Sequence, residues 1–481
     1  MSDSNSITNY FRLLPKEEMY LLDVIGQCAD EMGVSAFVIG GYVRDIFLER
    51  ERKDMDIVCL ESGIKLAKKV ADKLPNHPKI AIFKNYGTAQ IVTRGYEIEF
   101  VGARKESYSK NSRNPSVQTG TLKDDQLRRD FTINAMSIAL NGKNKGQLLD
   151  PFDGLEDLKL KTIKTPRDPV TTFSDDPLRI LRAVRFSNQL DFKIEPKTYL
   201  GIIENAHRVK ILSQERITAE FNKIMSCPKP SIGLKLLYDC GVMDIILPEV
   251  SALQGVEIIN GVGHKDNFYH TLEVVDNLCR NSDNIWLRWA ALLHDIAKPK
   301  TKKFDKQLGW TFHGHDAVGA YMVPKIFRRL KLPLHSPMKY VQKLVRLHLR
   351  PISLTKDNIT DSSIRRLLFD AGEDIEDLMM LCEADITSKN KFKVKKYLEN
   401  YRMVRDRMRN LEEADKLRNW QPPISGKTIM ETFNIAPSKK IGIIKNAIRE
   451  AILDGKIPNQ YEDAYNFMLE QGAELGLTVN K

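Results

Sequence analysis

Two aspartates two residues apart, Asp54 and Asp56 in KDMDIV, are the pair in this chain best suited to do chemistry. They open an apolar run, Met55 to Leu60, that reads as a strand, and strand alternation puts both carboxylates on one face. Like charges that close are costly unless a cation sits between them. Just upstream, the apolar run Phe37 to Ile39 is broken by Gly40 and Gly41, after which Tyr42 to Leu48 has helical spacing. The double glycine places free amides at a helix start, with Arg44 one turn in, which is an anion site. Paired acids facing a phosphate cradle suggest a metal-bound nucleoside triphosphate. Two divalent ions there would lower the pKa of an attacking hydroxyl and stabilise a leaving pyrophosphate. Such a set needs a further acid from an adjacent strand. In YEIEFVGARKESY, Glu97 and Glu99 share one face, and alternation leaves both open.

A second constellation lies in DDPLRILRAVRF, residues 175–186. Asp176 precedes Arg179 by three positions, so on a helix the two side chains are neighbours. An ionised Asp only accepts hydrogen bonds and Arg only donates. Cytosine and adenine each offer an amino donor beside a ring-nitrogen acceptor and can pair with both. Uracil and guanine present the reverse order and leave both partners unsatisfied, the kind of mismatch that polar sites reject by roughly 10⁴ or more. The pair is thus a protein template for C and A, drawn from CTP and ATP. Asp before Pro is also a common helix start, and here Asp175 is expected to take the capping role, leaving Asp176 for the base. Arg182 and Arg185 continue the spacing as a basic stripe facing triphosphate or primer.

A third group is histidine-rich. Residues ~255 to ~400 carry seven of the nine histidines, at 264, 270, 294, 313, 315, 335 and 348. LRWAALLHDIAKP ends an apolar helix on adjacent His294 and Asp295, and His270, His315, His348 and Asp385 follow the same order of types on neighbouring helical stretches. Adjacent His-Asp with further His and a distant Asp can hold one or two divalent ions, with Asp295 bridging. His313 fits the pattern less well than His315.

These residues need an α/β head and a helical remainder to position them. Candidate strands are Phe37–Ile39, Ile57–Leu60, Ile80–Phe83, Ala89–Val92, Glu97–Val101 and Gln147–Leu149, alternating with helical stretches. From Gly154 onward strand signals nearly vanish and helical spacing dominates, as in Pro177–Leu190, Tyr199–Ala206 and Ile217–Met225. The expected domains are a head over 1–155, a helical neck and body over 156–254, a histidine-rich domain over 255–410 and a small helical tail over 411–481. A hydrophobic share of 42% and a charged share of 28% are ordinary for a globular protein. A net charge of +11 favours a polyanionic partner. No apolar run approaches the ~18 residues of a membrane span, and Met1 to Asn9 is polar, so no membrane partner is expected. Six cysteines without CxxC spacing fit reduced thiols in a cytoplasmic protein. Nothing here sets an oligomeric state.

In chain order, GGYVRD, KDMDIV, RRDFTINAM, DPFDG, DDPLRILRAVRF and the ERI of QERITAEFNKI resemble the motif series of class II CCA-adding tRNA nucleotidyltransferases and bacterial poly(A) polymerases. The series covers residues ~37 to ~225. The resemblance implies an α+β chain, a polymerase-β-like head followed by an all-α neck, body and tail, with Mg²⁺ held by Asp54 and Asp56. The family's third carboxylate stands four residues before a small residue followed by Arg, a register that Glu99 meets through Ala103 and Arg104 and Glu97 does not. It further implies that Asp176 and Arg179 read the base, that Gly40, Gly41, Arg44, Arg129, Arg182 and Arg185 contact the nucleotide, and that Asp130 and Asn134 recognise ribose. The histidine series resembles the HD phosphohydrolase superfamily in its two-metal variety, taking Mg, Mn, Ni or Co. HD domains fused behind this body are associated with phosphodiesterase or phosphatase activity on RNA ends or nucleotides. The segment PPISGKTIMETFNIAPSKK resembles the C-terminal part of bacterial CCA-adding enzymes.

The resulting expectation is an enzyme that adds C, C and A to the tRNA 3′ end from CTP and ATP, releasing pyrophosphate. The neighbouring readings are a poly(A) polymerase and a CC-adding or A-adding specialist. Specialists differ between the third carboxylate and RRD, and here Lys105 to Asp125 is present, polar and rich in Ser and Asn, which leans towards the full CCA reaction. Readings of another class are an HD phosphohydrolase whose head only binds RNA, and a scaffold without catalysis.

Overall fold

The computed structural model describes residues 10–107, 116–259, 262–354, 360–388, 390–415 and 422–479. Of the polar stretch Lys105 to Asp125, residues 108–115 lie outside the described residues. The chain forms two compact units, Met1–Cys227 with Ile232–Ile246, and Pro228–Ser231 with Leu247–Lys481.

The first unit begins with α1 (Lys16–Glu31), then β1 (Ala36–Ile39), α2 (Gly41–Phe47), β2 (Asp54–Cys59) and α3 (Gly63–Lys73). The strands β3 (Ile80–Phe83), β4 (Thr88–Thr93) and β5 (Tyr96–Gly102) follow. A separate antiparallel pair, β6 (Arg104–Ser107) and β7 (Ser116–Thr119), leads to α4 (Leu122–Leu127). Two short strands, β8 (Ser137–Ala139) and β9 (Leu148–Leu149), complete a seven-stranded sheet of order β3-β4-β5-β2-β1-β8-β9. All its pairings are antiparallel except β2 with β5, which runs parallel and sets Asp54 opposite Glu97 and Asp56 opposite Glu99.

That register is held from behind. Ile57, Val58, Ile98 and Phe100 are fully buried, each contributing about 1.5–3 kcal/mol through burial. Helix α3 starts on Ser62, whose Oγ accepts from the Lys65 amide at 3.4 Å, and buries Leu66, Ala67 and Val70. Its first residue must be glycine, because a Cβ at Gly63 would come within 2.7 Å of the Phe100–Val101 backbone of β5.

The unit continues with helices that include α5 (Gly154–Lys159), α6 (Pro169–Asp175), α7 (Leu178–Leu190), α8 (Pro196–Asn205) and α9 (Gln214–Met225). Helix α7 packs on α9 through a nearly continuous buried surface that includes Ile180, Leu181 and Val184. The second unit is mostly helical, with helices at Asn267–Cys279, Ile285–Leu293, His315–Arg329, Ser336–Leu347 and Ile375–Ala384 around a core containing Trp289 and Phe327. The residues toward the C-terminus form helices Gly426–Phe433, Lys439–Leu453 and Tyr461–Glu474 around their own core of Ile429, Ile444, Ile448 and Met468.

The expected strands overlap the observed ones, within one residue except that β2 begins at Asp54, three residues before the expected Ile57, and shorter strands escape the periodicity. β8 is three fully buried residues with no alternation. After Gly154, residues 162–163 pair with 193–194, residues 258–259 with 262–263, and residues 303–305 with 309–311. Pieces of two or three residues are too short to show a period. Among the described residues, no helix is long and apolar enough to cross a membrane.

Candidate functional site

A polar cleft of about 300 Å³ opens in the first unit, and acids and arginines meet in it. Its lining brings together Asp56, Glu99, Arg104, Arg128, Arg129, Asp130, Asp176, Arg179, Arg182 and Arg216, with Val101 and Leu178 as the apolar members. Glu99 enters the cleft; Glu97, one pleat earlier, instead accepts from Gln90 Nε2 at 3.0 Å, and Asp54 stands exposed at the start of β2. Protein crowding around the Glu99 carboxyl, and then the charge of Asp56, raise its pKa, opposed by Thr88, Arg104 and Arg129. Two carboxylates, one on each strand of a parallel pair, are a donor set for a divalent cation.

Arg129 reaches the same carboxylates, its Nη1 lying 3.7 Å from Asp56 Oδ2. Gly40, at φ 86°, closes over that pair, and a Cβ there would sit 2.7 Å from Arg129 Nη1 and 3.0 Å from Asp56 Oδ2. Of the amides at the start of α2, that of Gly40 is not free for an anion. It donates to the Met136 carbonyl at 3.2 Å, because β1 is hydrogen-bonded to the segment that follows RRDFTINAM.

Behind the cleft is a web of arginines. Arg44 donates to both oxygens of Asp45 at 2.9 and 2.7 Å and to Asn134 Oδ1 at 2.8 Å. Asn134 Nδ2 in turn donates to Asp130 Oδ1 at 3.0 Å, and Arg182 Nε to Asp130 Oδ2 at 2.7 Å. Burial opposes ionisation of Asp130, but the charge and hydrogen bond of Arg182, together with Asn134, prevail and lower its pKa to about 2. Three guanidiniums surround the Phe186 ring: Arg185 at 4.2 Å, Arg44 at 5.0 Å and Arg182 at 5.3 Å from its centroid. The expected basic stripe therefore divides. Arg182 lines the cleft, whereas Arg185 turns inward to Glu220 at 3.2 Å, a consequence of α7 packing on α9.

Asp176 and Arg179 both line the cleft, but Asp175 does not cap α7 as expected. It ends α6 and pairs with Arg167. Pro177 has no N–H, so the first free amide of the helix is that of Leu178, which donates to Asp176 Oδ1 at 3.2 Å. Asp176 therefore divides its oxygens: Oδ1 serves the helix start, and Oδ2 lies 3.9 Å from Arg216. Arg179 is anchored by Nη2 donating to the Arg128 carbonyl at 2.5 Å. Arg104, Arg128 and Arg216 had not been singled out as site residues. Their signal was their place inside or beside the motifs GARK, RRD and ERI.

The second unit holds a separate cluster. His270, His294 and Asp385 form one potential ligand group, and Asp295, His315 and His348 another. Asp295 links them. Its Oδ2 lies 3.2 Å from His294 Nε2 and 3.5 Å from His270 Nε2, and its Oδ1 lies 3.3 Å from His315 Nε2 and 3.9 Å from His348 Nε2. Asp385 Oδ1 is 2.8 Å from His270 Nε2, and Lys298 Nζ is 2.6 Å from Asp295 Oδ2. His294, His315 and His348 each direct Nδ1 to the carbonyl three residues earlier, those of Ala291, Phe312 and Val345, all at 2.7 Å. A carbonyl only accepts, so Nδ1 carries a proton and Nε2 faces the centre. Those three Nε2 atoms are buried without a hydrogen-bond partner. Orphaned ring nitrogens converging on two carboxylates fit divalent cations. Burial lowers the pKa of His348 to about 4, whereas at His294 burial is outweighed by the carboxylates of Asp295 and Asp385, which raise it to about 10 in the ion-free fold. His313 is exposed and outside the cluster.

Comparison with known proteins finds three family profiles. "Poly A polymerase head domain" matches residues 36–164, "Probable RNA and SrmB- binding site of polymerase A" residues 191–253, and "HD domain" residues 267–390. An A-adding tRNA nucleotidyltransferase of Deinococcus radiodurans is 32% identical over 71% of this chain and 77% of its own. A multifunctional CCA protein of Psychromonas ingrahamii is 30% identical over 75% of this chain and 87% of its own. Among solved structures, a tRNA nucleotidyltransferase complexed with a primer tRNA and an incoming ATP analog matches at a TM-score of 0.55 and 27% identity, covering 79% of this chain and 99% of that one.

Proposed function

The chain belongs to the class II CCA-adding tRNA nucleotidyltransferase and bacterial poly(A) polymerase family, and on that premise we propose that it adds C, C and A to the 3′ end of tRNA from CTP and ATP. One observation carries the reading: Asp56 and Glu99, opposite each other on β2 and β5, open into the same basic cleft as Asp176 and Arg179.

Asp54, Asp56 and Glu99 would hold Mg²⁺, which lowers the pKa of the attacking hydroxyl and neutralises charge on the leaving pyrophosphate. The tRNA 3′-hydroxyl attacks the α-phosphate, and the bond to the β-phosphate bridging oxygen breaks. Arg129, Arg182 and Arg104 supply positive charge where the triphosphate lies, a contribution by positioning and electrostatics rather than covalent chemistry. Asp130, kept ionised by Arg182 and Asn134, is placed to accept from ribose hydroxyls. Asp176 Oδ2 and the Arg179 guanidinium select C or A, and Gly40, Gly41 and Arg44 shape the floor of the site. The domain limits 1–155, 156–254, 255–410 and 411–481 go with this division of labour, and the cytoplasm, where tRNA is processed, is its compartment.

The second reading within the family is an A-adding specialist, favoured by the name of the Deinococcus radiodurans relative. Incubation with tRNA lacking CCA, tRNA ending in C or CC, and an unrelated RNA, each with CTP and ATP, decides. Three additions to the first substrate are expected. Addition of A alone, and only to tRNA ending in CC, makes the chain a specialist; long A tails on any RNA make it a poly(A) polymerase.

His270, His294, Asp295, His315, His348 and Asp385 support a metal-dependent phosphohydrolase in the second unit, acting on phosphoesters of RNA ends or nucleotides. Mixed imidazole and carboxylate donors suit Mn, Ni or Co as well as Mg.

A further inference from the structure

Asp125 is fully buried on the short helix α4, and nothing in the chemistry above uses it. The start of α4 is fixed by a reciprocal cap between Thr121 and Asp124. The next residue, Gln126, ties the helix to the sheet through Nε2, which donates to Ser137 Oγ at 3.1 Å and to the Leu149 carbonyl at 3.0 Å. From this rigid base the Asp125 carboxylate grips two consecutive arginines. Oδ1 accepts from Arg128 Nε at 2.9 Å and Nη2 at 2.6 Å, and Oδ2 accepts from Arg129 Nε at 3.4 Å.

The two arginines lead to two different groups of the cleft. Arg129 continues to Asp56 at 3.7 Å, and the Arg128 carbonyl is where Arg179 rests its Nη2. A buried carboxylate needs several donors, and Asp125 takes these three from consecutive arginines of the cleft. This one fixes both the cation that touches a metal-holding acid and the backbone oxygen that aims a base-reading side chain.

We propose that Asp125 is a positioning residue that holds base selection and the catalytic carboxylates in one register, a role that rests on the nucleotidyltransferase reading. With Asp125 in place, Arg179 and Asp56 cannot shift independently. Without it, the Arg128–Arg129 segment loses its common anchor, and both the reaction rate and the choice of base decline.

The test uses the full-length protein with tRNA ending in CC and each of the four nucleoside triphosphates, in wild type and Asp125→Asn. The expected result is a kcat for ATP lowered by roughly 100-fold, the scale of a displacement of about 1 Å, together with a smaller ratio of ATP to GTP incorporation. Arg128→Ala is expected to lower that ratio more than kcat, and Arg129→Ala to lower kcat more than the ratio. Partial recovery of both in Asp125→Glu supports the proposal. If Asp125→Asn only lowers Tm, with kcat per folded molecule and the incorporation ratio unchanged, the proposal is overturned. Should Asp125→Asn fail to fold, Arg128→Ala carries the test, and an unchanged ratio there overturns it equally. Wild type that extends no tRNA at all would instead sink the nucleotidyltransferase reading, and this proposal with it.

Discussion

Arg129 Nη1 and Asp56 Oδ2, 3.7 Å apart, share the space that a side chain on Gly40 would fill. Gly40→Ala therefore adds a methyl into the pair and forces an unfavourable positive φ, which costs about 1–3 kcal/mol. Nucleotide addition should fall by roughly 100-fold, with helical content and most of the stability retained. Circular dichroism and steady-state kinetics check this; full activity in Gly40→Ala would show that the contact is not needed.

Glu97 and Glu99 stand on the same face of β5, yet only Glu99 lines the cleft. Glu99→Gln should abolish addition, whereas Glu97→Gln, which loses a hydrogen bond to Gln90, should keep it. Because the Glu99 pKa is raised by its surroundings, its ionisation disfavours the ion-free fold as pH rises through the unfolded and then the folded value. Without divalent cations at neutral pH, Glu99→Gln should melt no lower than wild type. A clear drop in its Tm would contradict the assigned electrostatics.

Asp130 offers a pH test of opposite sign. Its folded pKa is lowered to about 2 from the ordinary 3.8, so the stability it contributes is complete above the unfolded value and lost as pH falls towards the folded one. The difference corresponds to about 2 kcal/mol. Denaturant unfolding of wild type and Asp130→Asn should diverge by that order at pH 7 and converge between pH 4 and pH 2. A gap that stays constant over this window argues against an ionised Asp130.

The two candidate centres belong to different units and should fail separately. Asp56→Ala should remove nucleotide addition and spare phosphoester hydrolysis, and His294→Ala the converse. Loss of both activities in either variant contradicts two independent sites.

In the histidine cluster, Asp295 turns one oxygen to each ligand group. Wild type should bind two Mn²⁺ ions in that unit, Asp295→Ala neither, and His348→Ala one. Calorimetric titration gives the stoichiometry, and equal loss in Asp295→Ala and His348→Ala would rule out a shared carboxylate. Chelation should lower Tm, since bound metal stabilises only the folded state.

Much of this was open to a reader of the sequence. The DxD spacing placed Asp54 and Asp56 on one strand face, and the order of His270, His294-Asp295, His315, His348 and Asp385 gave the complete cluster. What remained hidden depended on contacts between distant segments. Alternation cannot separate Glu97 from Glu99, since both have the same parity; the parallel register of β2 with β5 and the position of Gln90 separate them in space. The division of labour between Asp175 and Asp176 turned on where α6 ends and on the missing amide of Pro177. Arg185 spaces like a cleft residue but is drawn inward by Glu220 on another helix. Asp125 looks in sequence like one more acid on a solvated turn.

The three histidines that bond to the carbonyl three residues behind them have a consequence for design. Each sets its own tautomer within four consecutive residues, with no help from a neighbouring helix. Such a histidine is a portable part: moved together with the three residues before it, it should arrive already poised as a ligand. The demanding component of a transplanted centre would be the one carboxylate that must face both halves at once.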